Sequence, residues 1–105
     1  MKKYIFTIGL FDKDTEKQII DSPEAKKYIN SLLLNQYNIF AFTMYDVNGV
    51  YKMQSTNNIV AEPSIRVEIA SKKRINYKAI INDLKTGLNQ ETIMIDITRA
   101  KIRFI

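Results

Sequence analysis

Apolar positions along this chain fall into runs of distinct period. Lys3 to Phe11, KYIFTIGLF, is apolar, β-branched and aromatic, and it stops abruptly at DKD. Such a run bounded by charge predicts a buried central strand. In DSPEAKKYINSLLLNQY, Ala25, Tyr28, Ile29, Leu32 and Leu33 recur at the spacing of one helical face. Ser22 as N-cap, Pro23 at the first helical position and Glu24 in the first turn mark where that helix begins. NIFAFTMYDVNGVYKMQ reads as a hairpin turning at Asn48-Gly49, the dipeptide that suits positive φ at both centres of a type I′ turn. STNNIVAEP reads as an irregular connection, with Pro63 opening the next run.

In SIRVEIAS, Ile65, Val67 and Ile69 alternate with Arg66 and Glu68, which predicts a strand with one apolar face. Asn76 is placed to cap a second helix whose stripe is Tyr77, Ile80, Ile81, Leu84 and Leu88, weakened near its end by Gly87. The last segment changes parity. Ile93, Ile95 and Ile97 share a face; then Ala100, Ile102 and Phe104 take over, with Arg99, Lys101 and Arg103 opposite. A one-residue slip exchanges faces, so the C-terminal strand is expected to be extended or bulged, with a break between Thr98 and Ala100. The tail beyond it is then free to pack elsewhere, for instance on a second subunit.

The order β-α-β-β-α-β predicts an α+β ferredoxin-like fold over residues 1–105, with a four-stranded antiparallel sheet, strand order 4-1-3-2, and two helices on one face. In element order the chain resembles the PII-like and related ferredoxin-like small proteins. That resemblance implies a hairpin arm and sheet-edge loops that bind ligands or partners at subunit clefts, and hence a homo-oligomer, dimer or trimer. Comparison with the RNA-recognition motif fails at SIRVEIAS, which lacks the glycine and the paired aromatics that stack bases.

Composition narrows the chemistry. The chain has no Cys and no His, which excludes disulfides, thiolate nucleophiles, cysteine metal sites and the usual general base near neutral pH. A non-catalytic binding module is therefore expected, without a cofactor. The net charge of +5 and the pI of about 9.5 favour acidic partners mildly. MKKYIFTIGLF starts like a signal peptide but runs into DKD without a small-residue cleavage site, and no run reaches membrane-spanning length, so a cytoplasmic protein is expected. Abundant Ile, Lys, Asn and Tyr suit an AT-rich coding sequence of a bacterium or its phages, and small size suits a phage-borne inhibitor of host defence.

Folded in this way, the chain should sort its charge to two ends of the sheet. One end gathers Asp12, Asp14, Thr15, Asn48, Tyr51, Asn57, Asn58, Glu62, Asn89 and Gln90, together with Glu16, Asp46 and Glu91, as a site for a small polar ligand or a partner protein. Tyr45 and Tyr51, with Met44 and Met53 near them, are candidate anchors on the hairpin. The opposite end gathers Lys72, Lys73, Arg74, Arg99, Lys101 and Arg103, with Lys2 and Lys3, as an alternative site for an anion or a nucleic acid. Asp12, Asp14 and Glu16 alternate as oxygen ligands of Mg²⁺ or Ca²⁺ do. However, Lys17 and Ser22-Pro23 stand where an EF-hand needs its glycine and its final glutamate, so a solvated loop is expected and no metal. A Mg²⁺-dependent phosphodiesterase using Asp12 and Asp14 ranks last.

Overall fold

A computed structural model describes residues 1–52 and 56–105. Strand β1 spans Lys2–Gly9, helix α1 Ser22–Ser31, β2 Thr43–Lys52, β3 Ile59–Ser71, α2 Tyr77–Gly87 and β4 Met94–Arg99. The strands pair antiparallel in the order β2-β3-β1-β4, which is the expected 4-1-3-2 seen from the other edge. Alternate residues of β1, Tyr4, Phe6 and Ile8 (with Leu10 just beyond it), meet Ile65, Val67 and Ile69 of β3 on one face. Ala25, Ile29 and Leu33 from the first helical segment and Ile80, Leu84 and Leu88 from the second cover that face. Both predicted helical stripes therefore bury as the period requires. No helix among the described residues is long and apolar enough to cross a membrane.

Local chemistry moves some boundaries. Asp21, not Ser22, caps α1: its Oδ1 accepts from the Glu24 N–H at 2.9 Å, which frees the Ser22 hydroxyl to donate to the Asp46 carboxylate. Past Ser31 the helix widens into a π-helical turn, Leu32–Gln36, where the Tyr37 N–H reaches the Leu32 carbonyl. Asn38, in the left-handed region at φ 53°, ends it. The hydroxyls of Tyr28 and Tyr37 both donate to Asp83, one to its backbone oxygen at 2.8 Å and the other to its carboxylate, and so tie this turn to α2.

Two sequence expectations are corrected. Asn48-Gly49 is no turn; β2 runs straight through it, with Asn48 opposite Pro63 and Gly49 opposite Glu62. IVAEP, Ile59 to Pro63, expected to be irregular, is the first part of β3. Propensity at Asn-Gly is local, whereas a ten-residue ladder supplies a hydrogen bond at every second step, and the ladder wins. Proline is tolerated there because the Pro63 carbonyl points toward β1, accepting from the Leu10 N–H at 2.9 Å. Its missing N–H faces the same way and cannot return a bond to Leu10, so the β1 ladder ends at Gly9 opposite Ser64. At the other end, β4 stops at Arg99, within the break that parity indicated, and the tail leaves the sheet.

The loop after β1 is sewn to the loop before β4. Asp12 Oδ2 accepts from the N–H groups of Asp14 at 3.0 Å and Thr15 at 2.9 Å, while Asn89 Nδ2 donates to Asp12 Oδ1 and to Asp14 Oδ2. Lys13 N–H reaches the Asn89 carbonyl at 3.0 Å, and Gln90 Nε2 reaches the Phe11 carbonyl at 2.8 Å. Asn89 adopts φ 48°, a region asparagine tolerates. Its side-chain amide, and after it the Thr15 N–H, hold the Asp12 carboxyl below the ordinary aspartate value.

Two predictions follow from these contacts. A Cβ on Gly49 would lie 3.3 Å from Ser64 Oγ and its φ is not positive, so Gly49→Ala should shift urea-denaturation stability by less than about 1 kcal/mol. A larger loss, as for alanine forced to positive φ, would restore the turn. Asp12 is lowered in the fold, so its contribution is present above the ordinary value of 3.8 and is lost as pH falls below it. Asp12→Asn should therefore lower the melting temperature at pH 7 and flatten its decline on acidification; an unchanged decline would show that this lock is not what titrates.

Candidate functional site on the open sheet face

Strand β1 pairs with β3 only as far as Gly9 opposite Ser64, while β2 and β3 continue together to Lys52 opposite Ile59. Five further residues at strand rise project β3 roughly 17 Å beyond the sheet as a two-stranded arm. The helices cover one face of the sheet. On the other face, alternation places Tyr45 on β2, Glu62, Ser64, Arg66 and Glu68 on β3, and Ile5, Thr7 and Gly9 on β1.

Three polar groups on this face lack partners among the described residues. Thr7 and Arg66 oppose each other across the β1–β3 ladder, and Thr7 Oγ1 and Arg66 Nε are both buried without a hydrogen bond. The Glu62 side chain folds across Gly9 at the root of the arm; a Cβ on Gly9 would sit 2.6 Å from Glu62 Cδ, so the carboxylate occupies the space that a side chain would need. Half-buried and facing no cation among the described residues, Glu62 is pushed above the ordinary glutamate value by desolvation alone. Glu68, on the same face, contrasts with it. The Tyr45 hydroxyl donates to Glu68 Oε1 at 2.7 Å and Lys3 Nζ lies 3.6 Å from Oε2, and the tyrosine hydrogen bond first and Lys3 beside it hold this carboxyl low. The same bond raises the Tyr45 hydroxyl. One face thus carries a neutralised carboxylate and an uncompensated one. An unsatisfied buried polar group costs about 1–3 kcal/mol, so this face detracts from the stability of the fold.

The residues expected at the acidic end divide. Asp12, Asp14, Thr15, Asn89 and Gln90 are brought together, but their hydrogen-bonding capacity goes largely to the loop lock. Asn48 lies exposed within β2, and Asn57 and Asn58 lie exposed at the far end of the arm, because the ladder runs past the expected turn. Asp46 pairs with Lys26 at 2.8 Å, and Glu91 is exposed before β4. The side chain of Tyr51 and all of Met53 lie outside the described residues. Among the described residues, Glu62 is the member of the set that reaches the open face. Sequence reading missed Thr7, Arg66 and Glu68 as site residues; their signal was the polar half of two alternating strands, which reads equally as solvated decoration. At the basic end, Lys72, Lys73, Arg74, Arg99 and Lys101 join Lys2 around one cleft of about 580 Å³, while Arg103 lies in the exposed tail.

No protein-family model and no curated protein matches the chain by sequence. Its fold is shared with solved structures. A phage SAM lyase in complex with S-methyl-5'-thioadenosine superposes with a TM-score of 0.67 at 18% identity, covering 92% of this chain and 79% of that one. The apo state of a phage SAM lyase gives the same score and identity, with 78% of that chain covered. The periplasmic divalent cation tolerance protein CutA from Archaeoglobus fulgidus gives 0.61 at 14% identity, covering 99% of this chain and 88% of that one. These likenesses show the fold, an α+β ferredoxin-like one. They also correct the expectation of a non-catalytic module: a chain without His or Cys was read as unfit for catalysis, yet this architecture carries lyase chemistry in a phage protein.

Proposed function

We propose that this chain is a phage-type lyase that cleaves S-adenosylmethionine, with Glu62 holding the cationic end of the substrate on the open sheet face. The observation that carries the reading is the desolvated, unpaired Glu62 carboxylate over Gly9, on the same sheet face as the unbonded Thr7 Oγ1. A carboxylate in that state gains most from a ligand that brings its own positive charge. S-adenosylmethionine brings two, an ammonium and a sulfonium. The fold shared with a SAM lyase supports the choice of substrate.

The chemistry also suits the composition. When the bond between sulfur and the methionyl γ-carbon breaks, sulfur keeps the electron pair and leaves as the neutral thioether methylthioadenosine. The substrate's own carboxylate oxygen can take that carbon and close a lactone, so atoms and charge balance without water, acid or base. No proton moves at the leaving group, and a histidine has no task. Opposite charges of one substrate cancel in the transition state, which a poorly solvated site favours over water. The exposed apolar side chains Val50 and Ile59, which alternation puts on the helix-side face of the arm, support assembly with further copies through the arm. A phage product that removes the methyl donor would disarm host defences that depend on methylation.

Incubation with S-adenosylmethionine should release methylthioadenosine, detected by chromatography, and Glu62→Gln should slow it by about a hundredfold or more. Activity of wild type should fall on acidification with a midpoint above 4.5, because the folded Glu62 holds its proton more tightly than a free glutamate. The charged form costs stability in the fold, so the same variant should melt at or above the wild-type temperature at pH 7, with the gap closing toward pH 4. Full activity in Glu62→Gln, or no methylthioadenosine from a folded wild type, would overturn the reading. Ile59→Asp should reduce particle mass by sedimentation and activity together; a smaller particle of full activity would remove the oligomer from the proposal.

A further inference from the structure

The end of the sheet away from the arm carries a second feature, independent of Glu62. Lys2 stands between two neighbours, opposite Ser71 on β3 and Arg99 on β4. Lys72, Lys73 and Arg74 follow in the turn after β3, and Lys101 follows β4. All six cations line one cleft of about 580 Å³ with Tyr4 at its floor, and no carboxylate joins the lining. Three lysines elsewhere in the chain pair with carboxylates: Lys3 with Glu68, Lys26 with Asp46 and Lys27 with Glu24. None of the six in the cleft has such a partner among the described residues.

Like charges facing each other across a strand pair are destabilising, and Lys2 faces Arg99. The cleft therefore holds repulsion that a bound polyanion would relieve. Its turn is pinned, since the Ser71 hydroxyl donates to the Lys73 carbonyl at 2.7 Å. Its volume lies in the range of small-ligand sites, and its charges converge on one concavity, whereas single-stranded nucleic acid is tracked along an extended groove with stacking aromatics. We propose that this cleft binds a small linear polyphosphate, two or more phosphates in a chain, either free or carried by a nucleotide. Arg99 offers a planar fork for two phosphate oxygens, and the lysines act as point charges around the rest.

Calorimetry on the full chain with inorganic tripolyphosphate, ATP and a single-stranded oligonucleotide tests this. Tripolyphosphate should bind once per chain, with affinity that falls steeply as salt is added. Lys72→Gln with Lys73→Gln, both at exposed turn positions, should weaken it by about tenfold or more. Lys13→Gln with Lys17→Gln, in the loop after β1, should leave it unchanged. Equal affinity for ATP assigns the site to phosphates alone, and tighter ATP adds a nucleoside contact; either supports the proposal. It is overturned by no binding of tripolyphosphate at low salt, by equal weakening in the Lys13 and Lys17 variant, or by an oligonucleotide that tripolyphosphate does not displace.

Discussion

The fold turns on a mismatch in strand length. β1 ends its pairing at Gly9, whereas β2 and β3 stay paired through Gly49 and Glu62 to the far end of the arm. Where three strands become two, a missing side chain leaves space, and Glu62 fills it across the Gly9 backbone. Had Gly9 carried a Cβ, the carboxylate would stand out in water with an ordinary affinity for its proton. The arm, the desolvated acid and the uncovered face are thus consequences of one register.

That arrangement costs stability, and the other face offsets it. Tyr4, Phe6, Ile8 and Leu10 meet β3 and both helices at 2% exposure or less, and burying side chains of that size contributes about 1.5–3 kcal/mol each. Against this stand Thr7 Oγ1 and Arg66 Nε, buried without a hydrogen bond, and the desolvated Glu62 carboxylate. Strand alternation makes the division possible, since neighbouring residues of β1 face opposite ways and answer to different demands. On the proposed reading, the polar face waits for a cation that brings its own leaving group, and the lack of histidine stops being an argument against catalysis.

Charge is sorted, though differently from the expectation. The basic end assembles because Lys2, Ser71 and Arg99 are neighbours in the ladder, which fixes the cations around one cleft. The acidic end divides because hydrogen bonds compete for its members. Asp12, Asn89 and Gln90 serve to join two loops, and the arm asparagines are carried away from them by the continuing ladder.

By itself, the sequence determined whatever repeats over short distances: the stripes of both helices, the alternating faces of β1 and β3, the cap at Asn76 and the parity change that ends β4. Element order then selected the sheet topology, since few arrangements bury those faces together. Asn48-Gly49 misled because a turn propensity of local origin was weighed without the partner strand, and Asp21 displaced Ser22 as the cap once Asp46 came within reach of the serine. Only the tertiary structure decided how far β2 and β3 stay paired, which carboxylate is left without a cation, and which polar residues of alternating strands lose their water. Periodicity is written along one segment and can be read there, whereas desolvation and pairing depend on groups far apart in the chain and exist only once those segments meet.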